Sequence, residues 1–311
     1  MHRKTFSPGI ALSLAVRQAA RSLATPGSLA HPMLCSAYSN IDNQCQALLM
    51  RNLQRENHYL PACYQRGFAD DAGKVWVKEA ARPEPEYRKP KNIGKRRNFY
   101  IRKVNGVEDD SIERFFGKEV EAGFGLVSQK VKTEGQKINL SGNELGFVVR
   151  FIATQVVRTI AYKECVDEQA GKTVDRQTHL NVMCRQVITI MNAWSENLPS
   201  IHFLTSLPFV THRFITGDNP VVVFSAARSL IATPMMSPVQ TITKLPDILN
   251  NPESQFVITL SPYMAVMLGQ QRPNSELVQI TALDPTGVLR MNALVQSQSR
   301  LFTLARDRES L

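Results

Sequence analysis

The sequence lacks the short motifs that mark the commonest enzyme classes. It holds no G-x-x-x-x-G-K-[ST] loop, no G-x-G-x-x-G, no H-E-x-x-H and no G-x-S-x-G. P-loop nucleotide hydrolysis, the usual dinucleotide fingerprint, zincin proteolysis and the α/β-hydrolase elbow therefore have no support. Cysteine is scarce: Cys35, Cys45, Cys63, Cys165 and Cys184 are odd in number and form no C-x-x-C pair. Neither a zinc knuckle nor a disulfide framework is signalled, and free thiols in a reducing cytosol are the simplest account. The six histidines, at 2, 31, 58, 179, 202 and 212, show no ligand spacing. A multi-histidine site would have to assemble from distant segments, so no metal ligand is assigned and the cofactor is left open. No window of about 18 uninterrupted apolar residues occurs, so no membrane span is expected.

Negative charge is missing from the first stretch. Asp42 is the first acidic residue, after Arg3, Lys4, Arg17 and Arg21, and Ser and Ala are frequent. Residues 1–55 read as a disordered tail, a mis-assigned start with translation from Met50, or a transit peptide. Residues 56–311 read as one globular domain. At 311 residues, 43% hydrophobic and 21% charged, the chain is long enough for a sizeable core. Its formal net charge of +10 points to a nucleic acid or other polyanion as partner, or to a basic surface without specific purpose. A cytoplasmic location is the expectation.

What is present reads as α+β, with central long helices packed on a mainly antiparallel sheet from the C-terminal third. Pro61 opens a short helix to about Phe68. Val75–Val77 and Asn98–Ile101 read as strands. Between Lys74 and Lys103, eleven Lys or Arg face three Glu, and Pro83, Pro85 and Pro90 make this a loop. Ile112, Phe116, Val120, Phe124, Val127 and Val131 recur at steps of four and three, predicting a helix from Asp110 to Lys132 with Ser111 near its cap. Ser141 and Glu144 form an S-x-x-E capping box at the head of a helix running to Gln169. A third helix spans Arg176–Leu198. Beyond Pro199, strands are expected at Arg213–Thr216, Val221–Phe224, Phe256–Ser261, Met264–Leu268, Leu277–Ala282 and Leu301–Ala305, with a helix at Thr286–Gln298.

Polar residues set in these apolar patterns are the candidates for chemistry. His58 begins the dense stretch His58–Phe68; Glu121 lies on the Asp110–Lys132 helix, Gln155 and Arg158 on the helix that Ser141 caps. Asp218 and Asn219 sit in Thr216-Gly217-Asp218-Asn219-Pro220, between two strands. Together they could supply a general base, an acid and an anion clamp. Tyr59, Tyr64 and Arg66, with Lys95, Arg96 and Arg97 of the basic segment, are the candidates for substrate contact. Each also has a structural account: a hydrogen-bonded histidine, Asx turns, a buried polar network, a solvated charged loop.

His58-Tyr59-x-Pro61-x-x-Tyr64-x-Arg66-x-Phe68 resembles the opening of a widespread, mainly bacterial family of unknown function, the one numbered 4238. Asn98-Phe99-Tyr100, Val120-Glu121-Ala122, Phe151-Ile152-Ala153-x-Gln155-x-x-Arg158-Thr159, Phe214-Ile215-Thr216-x-Asp218-Asn219-Pro220 and Leu260-Ser261-Pro262 resemble its later motifs, in order. Ala62 stands where a Gln is usual. Ile160 replaces the proline usual after Arg-Thr, so that helix is expected to run on. The resemblance implies a single intracellular domain and no particular activity. Two functions stay open: an enzyme acting on a phosphate-bearing substrate, or a non-catalytic module binding a polyanion or partner.

Overall fold

The computed structural model describes residues 53–134, 138–196, 199–206, 212–225, 248–249, 251, 254–270 and 278–311. The expectations for residues 1–52 lie outside that range. The fold is α+β, with helices in the middle of the chain and the largest sheet from its C-terminal third.

That sheet has five strands in the order β12-β7-β11-β10-β9: β7 Pro199–Ser206, β9 Val221–Ser225, β10 Ser254–Ser261, β11 Met264–Gln270 and β12 Val278–Leu283. Only the β12–β7 pairing is parallel; the others are antiparallel. Nearly every described side chain of β7 and β10 is buried, as befits strands covered on both faces. β7 was not expected from its sequence, because Ser200, His202, Thr205 and Ser206 break up the apolar run. A second sheet, β3-β2-β13-β8, joins Val75–Glu79 (β2) and Glu86–Arg88 (β3) to Phe302–Ala305 (β13) and Thr216–Gly217 (β8). The strand expected at Arg213–Thr216 is thus reduced to its last residue and Gly217.

The basic segment is not one loop. It contains β2, β3 and β4 (Lys95–Arg97), the last pairing antiparallel with β1 (Glu56–His58) so that His58 faces Lys95. The expected strand at Asn98–Ile101 is instead a turn. Asn98 takes φ 58°, a left-handed conformation that asparagine tolerates and that ends strand pairing. A further ribbon pairs β5 (Arg102–Val104) with β6 (Val107–Asp109).

The helices keep their predicted faces but not their predicted continuity. The run from Ser111 to Glu134 is α2 (Ser111–Phe115), a π turn (Phe116–Glu121) and α3 (Ala122–Glu134). Asp110, not Ser111, holds the cap position, and the Ser111 hydroxyl bonds Asp109 instead. The capping box at Ser141 forms as expected, heading α4 (Gly142–Val157). That helix does not run on to Gln169. It stops at Arg158 and bends by 48° into α5 (Ile160–Gln169). Thr159 does the work expected of proline: extended at ψ 160°, it accepts the Tyr162 N–H on its hydroxyl and caps the new helix. α6 (Arg176–Glu196) and α7 (Pro285–Gln298) complete the set. No single described helix is long and apolar enough to cross a membrane.

The helix α1 (Ala62–Gln65) is the plug between these layers. Tyr64 is fully buried, its ring 5.5 Å from Phe151 of α4 and 6.1 Å from Phe124 of α3, which stack on each other at 3.7 Å. Its hydroxyl donates to the Thr259 carbonyl of β10 at 2.7 Å and lies 2.6 Å from Thr216 Oγ1 of β8. One side chain therefore touches two helices and both sheets. Tyr64→Phe keeps the ring but leaves the Thr259 carbonyl without this donor. It should lower unfolding stability by about 1–2 kcal/mol in urea titration, and an unchanged midpoint would contradict this role.

Candidate functional site

Arg158 sits at the bend between α4 and α5, with no exposed surface. A guanidinium cannot stay there unpaired, and three separate segments converge on it. Its Nη2 donates to Glu121 Oε1 and to the His58 carbonyl, each at 2.9 Å. Its Nε donates to the Tyr100 hydroxyl at 3.2 Å, and its centre lies 4.0 Å from the middle of the Phe116 ring. Burial opposes the charge, but Tyr100, Glu121 and Glu113 override it and raise the pKa further.

Local structure explains how each partner arrives. The π turn is wider than an α turn and closes by i→i+5 bonds, so Phe116 and Glu121, five residues apart, both reach Arg158. The turn after β4 delivers Tyr100, and buried Asn57 holds that turn in place. Asn57 Oδ1 accepts the Tyr100 N–H at 3.0 Å, while its Nδ2 donates to the Gln54 carbonyl at 2.8 Å. His58 follows directly. Its ring is half-buried, with Nε2 3.2 Å from the Lys91 carbonyl, a contact that requires the proton on Nε2. Burial lowers the pKa of His58, with Lys95 and Arg158 acting the same way, against the Lys91 carbonyl and Glu121. The neutral imidazole is thus favoured.

Glu113 was not singled out from the sequence, yet it belongs to this cluster. Burial pushes its carboxyl from an ordinary 4.5 up to about 7; Glu121 and Asp110 add to this, and Arg158 and the His58 backbone N–H resist it. Its position beside the apolar stripe, eight residues before Glu121, was the available signal. Tyr100 was also missed, although the Asn98-Phe99-Tyr100 element pointed to it. Several buried atoms here have no hydrogen-bond partner among the described residues: Arg158 Nη1, Glu113 Oε2 and both amide atoms of Gln155. Gln155 lies one turn before Arg158 on α4 and is wholly buried.

The other predicted residues lie apart from this centre. Asp218 Oδ1 accepts the backbone N–H groups of Arg300 at 2.9 Å and Phe302 at 3.4 Å, tying the turn after β8 to the start of β13. Burial raises its pKa, against those N–H groups. Its electrostatic link to the cluster runs through Tyr59, whose buried phenol it raises after the larger effect of burial. Asn219 is buried beside it. Tyr64 is committed to the core. Arg66 is exposed at the end of α1, and Lys95, Arg96 and Arg97 are exposed along β4. Lys95 makes a 3.0 Å ion pair with Glu56. Among the described residues no group of three or more His, Cys, Asp or Glu is placed to hold a metal.

The chain belongs to the family described as a protein of unknown function (DUF4238), which matches residues 56–309. Neither the curated proteins nor the solved structures gave a match.

The raised carboxyl of Glu113 has a measurable consequence. The folded protein holds that proton more tightly than the unfolded chain, so its contribution is lost as pH rises from about 4.5 through 7. His58 and His179 shift the opposite way, but they are common to wild type and variant and cancel in the difference. The stability of Glu113→Gln relative to wild type should therefore grow between about pH 5 and about pH 8 in urea unfolding. A pH-independent difference would rule out the perturbed carboxyl.

Proposed function

We propose that this family member is an enzyme acting on a phosphate-bearing substrate, a nucleic acid or nucleotide, where His58, Glu121 and the β4 edge meet. The observation that carries this reading is the pairing of a partly exposed carboxylate with a fully buried guanidinium beside a half-buried imidazole. Glu121 has 21% of its side chain exposed while Arg158 has none, so its carboxylate is fixed from behind and open in front. His58 lies within electrostatic reach of that carboxylate and is poised neutral, as a general base must be. Glu113, with a carboxyl near 7, can hold or release a proton behind them.

The roles follow from what each group has left to offer. Arg158 has spent Nε and Nη2 on Tyr100, Glu121 and His58, so it positions Glu121 rather than clamping the substrate. The anion contacts fall to Lys95, Arg96 and Arg97, whose strand pairs directly with β1 and runs alongside His58. Asp218 is occupied in tying the turn after β8 to the start of β13, and Gln155 lies buried one turn before Arg158.

A second reading keeps the basic edge and drops the chemistry: the module binds a polyanion, and the Arg158 network is structural. Its support is that β4 presents three consecutive exposed cations while most of the polar cluster is buried. One experiment separates the two. The full chain is assayed for hydrolysis of single-stranded DNA, RNA and nucleoside phosphates, and for binding across salt concentrations. The enzyme reading expects turnover that falls about 10²–10⁴-fold in His58→Gln and in Glu121→Gln, both still folded. Charge-neutral variants of Lys95, Arg96 and Arg97 should raise KM and flatten the salt dependence. Salt-sensitive binding with no turnover, unaffected by His58→Gln, would transfer the function to the second reading.

A further inference from the structure

We infer that Glu113 and Glu121 exchange the buried Arg158 guanidinium between them, one proton on Glu113 deciding whether Glu121 holds it alone or shares it. Two carboxyls face one cation here. Glu113 and Glu121 lie on one helical run, with the π turn between them. In an unbroken α-helix of about 3.6 residues per turn, position 121 would be rotated by about 80° from position 113. The wider π turn reduces that offset and brings both carboxyls towards one side. Glu121 Oε1 accepts from Arg158 Nη2 at 2.9 Å. Glu113 acts on the same guanidinium electrostatically without such a bond.

Two complementary atoms are left over. Arg158 Nη1 is a buried donor and Glu113 Oε2 a buried acceptor, and neither has a hydrogen-bond partner among the described residues. Buried polar atoms are costly to leave in that condition. With Glu113 protonated, the guanidinium answers to Glu121 alone. Once Glu113 loses its proton, a second anion stands beside the cation, and joining Oε2 to Nη1 satisfies both atoms.

The surroundings set where the exchange falls. Burial acts most strongly on the Glu113 proton and keeps it bound up to about pH 7. Glu121 and Asp110 act with burial, while Arg158 and the His58 backbone N–H act against it. The Tyr100 phenol is also within electrostatic reach. Glu121 has 21% of its side chain exposed, so sharing Arg158 loosens the carboxylate that opens to solvent. In the enzymatic reading, on which this consequence alone rests, Glu121 is fixed for chemistry below the exchange and slackened above it.

Nuclear magnetic resonance of the full chain, isotope-labelled at glutamate Cδ and arginine Nη, tests this from about pH 5 to about pH 9. Glu113 should titrate near 7. The Glu121 signal and the Arg158 Nη1 protons should move with the same midpoint, the protons downfield as they gain an acceptor. Glu113→Gln should abolish both movements. In Glu121→Gln the guanidinium passes to Glu113, whose midpoint should fall by about 1–3 units. Nη1 protons that stay in place while Glu113 titrates overturn the exchange, as does an unmoved Glu113 midpoint in folded Glu121→Gln. If Glu121→Gln does not fold, the wild-type and Glu113→Gln spectra decide. No substrate enters these measurements, so a failure to turn over phosphate esters would strike the enzymatic reading and leave the exchange standing.

Discussion

A guanidinium without solvent organises the centre of this protein. Arg158 has no exposed surface, and its charge is tolerated only because Glu121, Tyr100, the His58 carbonyl and the Phe116 ring surround it. Removing one partner of such a pair costs roughly 3–5 kcal/mol, whereas exposed pairs such as Arg308 with Glu84 contribute roughly 0–1. The demand is therefore strong enough to decide local structure. It coincides with both irregularities of the helical layer: the π turn that aligns Phe116 with Glu121, and the 48° bend that places Arg158 between α4 and α5. Neither would improve a helix taken alone.

The stretch His58–Phe68 divides between packed anchors and a half-open polar end. From Leu60 onward, exposed Arg66 apart, it is largely committed to packing. Gln65 Nε2 donates to the Leu60 and Ile93 carbonyls, Tyr64 bridges both sheets, and Phe68 is wholly buried. Gly67 lies so close to β10 that an added Cβ would come within 2.5 Å of the Leu260 carbonyl oxygen. Only His58 at its start keeps a half-open polar ring, and its backbone serves Arg158. The turn carrying Asp218 follows the same logic, since its carboxylate is occupied by backbone N–H groups leading into β13.

Features set by local pattern were legible in the sequence. The apolar steps from Ile112 to Val131 are buried as a stripe, and the Ser141–Glu144 box caps α4. Features set by distant partners were not. The segment from Ser141 to Gln169 reads as continuous because Ile160 is a legitimate helix residue, and the break depends on where the Arg158 side chain must point. The turn at Asn98–Tyr100 looked like a strand because Phe99, Tyr100 and Ile101 favour one. The left-handed Asn98 and the hydrogen bond from the Tyr100 N–H to Asn57 decide otherwise. His58, Glu121, Gln155 and Arg158 stood out as polar residues set in apolar patterns. Glu113 escaped, since a glutamate on an amphipathic helix ordinarily marks the solvated face.

The geometry also changes what the arginine can do. An anion clamp needs free donors pointing at solvent, and Arg158 retains only Nη1, which is buried and without a hydrogen-bond partner among the described residues. Two carboxylates act on this one guanidinium, and a second full negative charge is resisted by burial and by Glu121; Glu113 accordingly moves towards neutrality. The cluster as a whole therefore adds little positive charge for a phosphate. The positive potential lies instead on β4, where Lys95 has a single ion pair and Arg96 and Arg97 are exposed beside it. The exposed cations and the half-buried imidazole thus lie on adjacent strands of one small ribbon, with His58 opposite Lys95.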